Sequence, residues 1–333
     1  MTAEDEIGLP LELKAPAKLN LCLYLGPRRK DGLHELASIF EPLTLHDTIR
    51  VERGGPQALV DQVICPGVPG ENLVTKAIRM MRSEGWSPPH LKVEIEKRIP
   101  VQAGLGGGSA DAAAILRLGV GAVEDPAGLA LLLGADVPSQ LNPKALLVEG
   151  VGQKLTSLPE PEDHWVVLSP FPEGLSTRAV FDEADRMKLG RSQNEIDEIS
   201  SRLWAVASNG VSPLAYPALL VNDLEPAAIG LMPEIGAARE RLLAAGADFA
   251  GMTGTGPTVF GLFPGQESAE AAAKEMGPGS ILARSGTGED DRLSRSLKRD
   301  AASGWPWQGW RPSCLSPSSS TGSSSRSSTC SNC

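Results

Sequence analysis

Hydrophobic and polar residues alternate along 17–25, with Leu19, Leu21, Leu23 and Leu25 on one side and Lys18, Asn20, Cys22 and Tyr24 on the other. A period of two marks a half-buried strand, and it sets Lys18 and Asn20 side by side on one face, about 7 Å apart. Residues 91–95 repeat the pattern, Leu91, Val93 and Ile95 alternating with Lys92 and Glu94, before Pro100 interrupts the polar stretch that follows. Elsewhere the period lengthens to that of a helix. Leu73, Ala77, Met80 and Met81 predict a helix over 72–82, and the alanine-rich 112–118 predicts another, capped by Ser109 and burying Ala112, Ile115 and Leu116. A third helix spans 126–133, opening on Pro126 and stopping at Gly134. A fourth covers 233–245, with Ile235, Ala238, Leu242 and Leu243 inward and Gly246 after its end. The run Met252-Thr253-Gly254-Thr255-Gly256 and an apolar strand over 258–263 follow it. The segment 159–163, rich in proline and acid, reads as a link between two halves, 14–158 and 159–284, each mixing strands with helices in an α+β arrangement. From about Ser285 the periodicity is lost. Charged residues give way to Trp305, Trp307 and Trp310 among Gly and Pro and then to a serine-rich terminus, so 285–333 is expected to be a disordered or non-native tail outside the fold.

A chain of 333 residues with 41% hydrophobic and 22% charged residues has room for two ordinary cores. Its formal net charge of -10 and the lack of a dense basic run before the tail argue against a nucleic-acid binder. Five cysteines, three of them in the tail, fit neither a disulfide framework nor a metal-ligand spacing. The acidic start carries no leader pattern, and no stretch approaches the ~20 apolar residues needed to span a bilayer. A soluble cytoplasmic protein without a membrane partner is the expectation.

The chemistry concentrates in Gly104-Leu105-Gly106-Gly107-Gly108-Ser109, placed between the strand at 91–95 and the helix at 112–118. Four glycines in five positions let backbone N–H groups converge, and a helix start adds its positive end, which together suit a phosphate. The spacing is neither that of a P-loop, which needs Lys-Ser or Lys-Thr after the glycines, nor that of a dinucleotide fingerprint. A hydrolase elbow is also excluded, because a second glycine is missing after Ser109 and no histidine stands in a triad context. Ser109 serves better as a cap and a phosphate or metal contact. Asp31-Gly32 marks a turn, and His34 on its own reads as a surface or capping histidine.

Taken together, Pro16-Ala17-Lys18-Leu19-Asn20-Leu21, Asp31-Gly32-Leu33-His34-Glu35-Leu36, residues 100–114, Leu133-Gly134-Ala135-Asp136-Val137-Pro138 and Thr253-Gly254-Thr255-Gly256 resemble the GHMP kinases. Within that superfamily the order and combination are similar to the 4-diphosphocytidyl-2-C-methyl-D-erythritol kinases, over about residues 15–284. The resemblance implies a ribosomal-protein-S5-domain-2-like N-terminal half and a ferredoxin-like C-terminal half with the active site between them. It also implies ATP, with Mg2+, as phosphoryl donor to the 2-hydroxyl of a cytidine diphosphate methylerythritol substrate, in the non-mevalonate route to isoprenoid precursors. Carried over by position, Lys18 and Asp136 are the catalytic pair. Pro100, Val101, Gln102, Ala103, Gly104, Leu105, Gly106, Gly107, Gly108, Ser109 and Ala110 hold ATP, with Asn72 and Lys97 on the nucleotide side. Asn20, Leu33, His34, Thr177 and Phe181 lie along the substrate, and no metal ligand is assigned. The chain departs from the family in two places within this span. Leu33 stands where the family has a tyrosine, which removes one aromatic face, and Ser139-Gln140 replaces an apolar pair. A sister GHMP kinase acting on another alcohol, or a nucleotide-binding regulator without turnover, are the rival readings.

Overall fold

The computed structural model describes residues 8–68 and 70–288, so the expected tail lies outside the described residues apart from its first four positions. The spine of the larger sheet is one long strand, β3 (His34–Arg53), which no alternating pattern announces because both its faces are largely buried. β1 (Leu11–Asn20), β2 (Tyr24–Arg28), β5 (Leu91–Glu96) and β6 (Leu146–Gly150) all pair antiparallel with it. β4 (Gln62–Ile64) runs parallel beside β5, and β7 (Lys154–Ser157) closes the other edge against β6. The smaller sheet is antiparallel throughout, in the order β11 (Ile281–Arg284), β8 (Trp165–Ser169), β10 (Val259–Phe263), β9 (Phe249–Met252). Between β7 and β8 the chain has no helix or strand, so the 159–163 segment carries it from one sheet to the other.

The single strand expected over 17–25 is in fact two. β1 ends at Asn20 and β2 begins at Tyr24, because Leu23 leaves the ladder: its N–H donates to Val221 O at 2.8 Å and its carbonyl accepts from Asp223 N at 2.8 Å. That detour ties β1 to the second half of the chain.

On the larger sheet lie α1 (Leu73–Ser83), capped by the Asn72 side chain, α2 (Gly107–Leu116), α3 (Pro126–Leu133) and the single turn α4 (Val137–Gln140). α2 starts earlier than its apolar pattern suggests. Gly106, in the left-handed region at φ 69°, is its N-cap, and Ser109 sits inside the helix instead of capping it. The helix is packed on all sides from Ala110 to Leu116, which its run of small residues permits. In the second half, α5 (Thr177–Met187), α6 (Gln193–Ala207), α7 (Glu225–Leu231), α8 (Glu234–Ala244) and α9 (Gln266–Met276) complete the fold.

Two of the cores among the described residues hold the smaller sheet in place. One lies between the sheets and joins Leu19, Leu21 and Ile39 to Leu168 and Phe260, with Ile199 and Leu203 of α6 packed in. The other lies under the outer face of the smaller sheet, where Phe263 and Val167 meet Val180, Ala228, Leu242 and Ala272. The first core spans both halves, so each half fixes the other. Among the described residues no helix is long and apolar enough to cross a membrane.

Candidate active site

β1 carries Lys18 into the middle of the molecule. Its backbone N–H donates to Leu105 O at 3.0 Å, so the strand is stitched directly to the glycine loop. The Lys18 side chain is almost fully buried, and its ammonium donates to Asn20 Oδ1 at 2.5 Å and lies 4.5 Å above the Phe40 ring. Its ionic partner is Asp136, whose Oδ2 is 3.3 Å away. Asp136 occupies the N-cap position of α4 but makes no capping bond with its side chain, which stays 36% exposed. A carboxylate in that position commonly closes the following turn. Here it is turned to Lys18, and the turn is closed by Ser139 Oγ donating to Asp136 O at 2.7 Å.

Asn20 fixes Lys18 from the other side. Its amide donates to Ser38 Oγ at 3.1 Å, and its backbone N–H donates to Thr253 Oγ1 at 2.8 Å. Thr253 opens the second glycine-rich loop, which is held from behind by Asn222 donating to Met252 O and Gly254 O, both at 2.8 Å. The two loops touch. A Cβ on Gly104 would lie 3.0 Å from both Thr253 O and Gly256 O, and one on Gly106 would lie 2.8 Å from Lys18 Cγ. Glycine is required at both positions, where φ is 75° and 69°.

Beyond the glycine loop opens a cavity of about 300 Å3, whose walls include Asn72, Lys97, Gln102, Gly107 and Ser109. The loop residues 100–109 all line it, whereas Ala110 is buried behind. Lys97 does not reach into this space freely. Its ammonium is shared between Asp47 Oδ2 at 2.5 Å and Asp111 Oδ2 at 2.8 Å, both carboxylates being buried. Asp47 is fully committed, since its other oxygen accepts from Arg98 N and Ile99 N at 2.6 and 2.8 Å. Asp111 keeps one oxygen without a partner. Burial, with the charge of Asp47 adding to it, outweighs Lys97 and pushes the Asp111 carboxyl up to about 7. Lys97 thus braces β3, the turn after β5 and α2 together.

On the side of the second glycine-rich loop, Thr177 opens α5 and its hydroxyl lies 3.2 Å from Thr255 Oγ1. Phe181, one turn on, packs against His34 with ring centroids 5.6 Å apart. His34 is buried rather than at the surface, and the neighbouring Leu33 is 54% exposed. The structure therefore brings Lys18, Asn20, Asp136 and the glycine loop to one place, and His34, Leu33 and Phe181 to another, with Thr177 between. Sequence reasoning singled out the Thr253–Gly256 run without giving Thr253 a role, placed Lys97 on the nucleotide side without its two carboxylate partners, and missed Ser38, Asn222, Asp47 and Asp111. Further along α5, Asp185 sets Oδ1 3.1 Å from His34 Nε2 and Oδ2 3.4 Å from Arg28 Nη1.

Comparison with known proteins identifies the family of the chain. The family description "GHMP kinases N terminal domain" matches residues 72–131 and "GHMP kinases C terminal" matches 213–278. The 4-diphosphocytidyl-2-C-methyl-D-erythritol kinase of Anaeromyxobacter dehalogenans (strain 2CP-1 / ATCC BAA-258) is 38% identical over 269 residues, covering 78% of this chain and 82% of that protein. Its counterpart in Salinispora arenicola (strain CNS-205) is 34% identical over 279 residues, covering 80% and 88%. A crystal structure of a 4-(cytidine 5'-diphospho)-2C-methyl-D-erythritol kinase superposes with a TM-score of 0.69 at 32% identity, covering 84% of this chain and 100% of the other. A homoserine kinase from Cytophaga hutchinsonii, at 17% identity and a TM-score of 0.62, shares the fold. The chain belongs to the GHMP kinases, in the 4-diphosphocytidyl-2-C-methyl-D-erythritol kinase family.

Proposed function

We propose that this chain transfers the γ-phosphoryl group of ATP to the 2-hydroxyl of 4-diphosphocytidyl-2-C-methyl-D-erythritol, on the non-mevalonate route to isoprenoid precursors. The observation that carries the reading is the Lys18–Asp136 pair, 3.3 Å apart and joined through Lys18 to the glycine loop. Phosphoryl transfer asks chiefly for positioning and charge stabilisation. The loop amides and the N-terminal end of α2 supply fixed positive potential for phosphate oxygens. Lys18 adds a full charge beside them, already oriented by Asn20 and Asp136. Asp136, half-exposed and without a capping duty, accepts the proton of the attacking hydroxyl, a role worth typically about 100- to 10,000-fold in rate.

The nucleotide occupies the cavity beyond the loop, between Asn72 and Lys97, and the acceptor lies along Asn20, Thr177, Phe181 and the Leu33–His34 turn. In this reading the N-terminal half, 14–158, holds the nucleotide and both catalytic residues, and the half at 159–284 supplies Thr177 and Phe181. A bound Mg2+ would neutralise polyphosphate charge. It takes most of its ligands from phosphate and water, and the Ser109 hydroxyl in the cavity wall is an oxygen suited to it. Retention of both Lys18 and Asp136 favours turnover over a silent nucleotide-binding regulator.

The reading is tested by coupled ADP release with a panel of alcohols, among them the cytidine diphosphate compound, homoserine and mevalonate. Turnover with the cytidine compound at least ~100-fold more efficient than with the others is expected, a margin that differential contacts along the groove readily supply. A preference for another alcohol would move the chain to a sister activity. No ADP release above the buffer rate with any of them would favour the regulator.

A further inference from the structure

Lys18 also forms one wall of a crevice of about 10 Å3 that shares no lining residue with the nucleotide cavity. Other walls come from β3, through Phe40 and Glu41, and from the end of α4, through Ser139 and Gln140. Gln140, half of the pair that departs from the family's apolar one, is only 2% exposed. Its backbone is fixed: the carbonyl accepts from Arg117 Nη1 at 3.0 Å, and Arg117 Nη2 donates to Lys14 O of β1 at 3.1 Å. Its side chain runs in beside Lys18. A Cβ built on Gly106 would meet Lys18 Cγ, Lys18 Cε and Gln140 Nε2 at 2.8, 3.2 and 3.6 Å.

Three groups at this crevice have hydrogen-bonding capacity left over. Gln140 Nε2 is shut off from solvent, with two hydrogens to give and no acceptor among the described residues. Glu41 is buried, and neither of its carboxylate oxygens is in a hydrogen bond; Oε2 lies 3.3 Å from His164 Nε2, off the line of one. The Lys18 ammonium has three hydrogens, and Asn20 Oδ1 and Asp136 Oδ2 engage two of them. Buried donors and acceptors of this kind are almost always matched. The chemistry of the set decides what matches them. A metal cation would face the hydrogens of the amide and the ammonium, and an anion would face Glu41. A water accepts from the first two and donates to the third, and about 10 Å3 is the room that one water needs.

We propose that this crevice holds one internal water, which accepts hydrogens from Gln140 Nε2 and Lys18 Nζ and donates one to Glu41, and that Gln140 is thereby a positioning residue for Lys18. A bridging water of this sort holds its partners nearly as well as a direct hydrogen bond. It matters most when Asp136 takes the proton of the attacking hydroxyl, because the carboxylate charge that holds Lys18 is then lost and the third anchor keeps the ammonium in place. The inference deepens the proposed function at Lys18, whereas the water site itself does not depend on which alcohol is phosphorylated.

The test compares the unmodified protein with Gln140→Met, which keeps the length of the side chain and removes its hydrogens. A crystal structure of the unmodified protein that shows ordered solvent should place a water about 2.7–3.2 Å from both Gln140 Nε2 and a Glu41 oxygen. The same water should be missing from Gln140→Met. With the cytidine substrate, kcat of Gln140→Met should fall on the order of 10-fold, while KM for ATP stays within about twofold and the urea midpoint does not fall. A residue that merely packs would show in the midpoint and not in kcat. A crevice without a water in the unmodified protein, a water that persists in Gln140→Met, or full kcat in that variant overturns the proposal. If the water is present and depends on Gln140 but no alcohol is phosphorylated, the water site stands and the proposed reaction is what fails.

Discussion

Gly106 is where backbone and chemistry meet most closely. Its φ of 69° disfavours any side chain, and a Cβ there would press on Lys18 Cγ at 2.8 Å. Gly108, two residues on, is helical, and its Cβ would meet only Leu73 Cδ1 at 3.7 Å. Gly106→Ala should therefore cost about 1–2 kcal/mol of stability and displace Lys18 from Asp136, lowering turnover. Gly108→Ala should be neutral or up to about 1 kcal/mol stabilising in the free protein. Urea denaturation of the two variants checks this contrast, and equal losses would show that the left-handed turn is not what demands glycine. At this scale the glycines were legible because their spacing is itself the signal. Lys18 and Asp136 became legible only through the motifs around them, since a lysine on a strand and an aspartate before a short turn have ordinary surface readings. Asp47 and Asp111 were illegible. A buried carboxylate has no sequence mark, and only the approach of Lys97 from another element makes burial tolerable.

Among the elements, α3 could be read to the residue, because Pro126 starts it and Gly134 ends it. α1 and α8 were legible to within a residue or two from their apolar positions, although Leu243, expected inward on α8, is exposed and only Ile235, Ala238 and Leu242 are buried. β3 could not be read. Its middle section packs Ala37, Ile39 and Leu43 into the inter-sheet core on one side and buries Phe40 with Leu146 and Val148 of β6 on the other, so the alternation that defines a half-buried strand is absent. α6 carried a usable signal that went unused, the capping box formed by Ser192 and Glu195. The start of α2 was misplaced because Ser109 looks like a cap, whereas the chain turns helical from Gly107, once the left-handed Gly106 has redirected it. That shift matters to function, since it brings the amides of Gly107 and Gly108 into the first turn of α2, where free N–H groups face the cavity.

Across the whole molecule the two sheets are joined by a buried ion pair. His164, in the connection between them, sets Nε2 3.3 Å from Glu41 Oε2 of β3, and its Nδ1 lies 3.0 Å from Glu162 O. Burial alone would push the His164 pKa down, but the Glu41 carboxylate and the Glu162 carbonyl outweigh it and hold the ring above its ordinary value. The sign follows directly. A group whose folded pKa is raised contributes stability that is fully present below its unfolded value, near 6.5, and lost as pH rises through the folded value. Urea midpoints should accordingly fall between pH 6 and pH 9. Glu41→Gln should lower the midpoint at pH 6 and remove most of that pH dependence, because the buried imidazole loses the carboxylate that favours its charged form and burial then holds it neutral. A midpoint that rises with pH, or a slope that survives in Glu41→Gln, would rule out the pair as the titrating link.

The site is likewise a product of the whole fold: Lys18 comes from β1, Asp136 from the turn into α4, and their alignment depends on Asn20 reaching Thr253 in the other half. The measurement that tests the catalytic assignment most directly is the double-mutant cycle of turnover with the cytidine substrate. Asp136→Asn keeps size and hydrogen bonding but removes the charge that receives the proton, so kcat should fall on the order of 100-fold or more with ATP affinity little changed. Lys18→Met should lose turnover to a similar degree, and the double variant should lose far less than the product of the two, because each residue acts through the other. Near-full turnover in Asp136→Asn, or two losses that multiply as independent effects, would contradict the paired assignment.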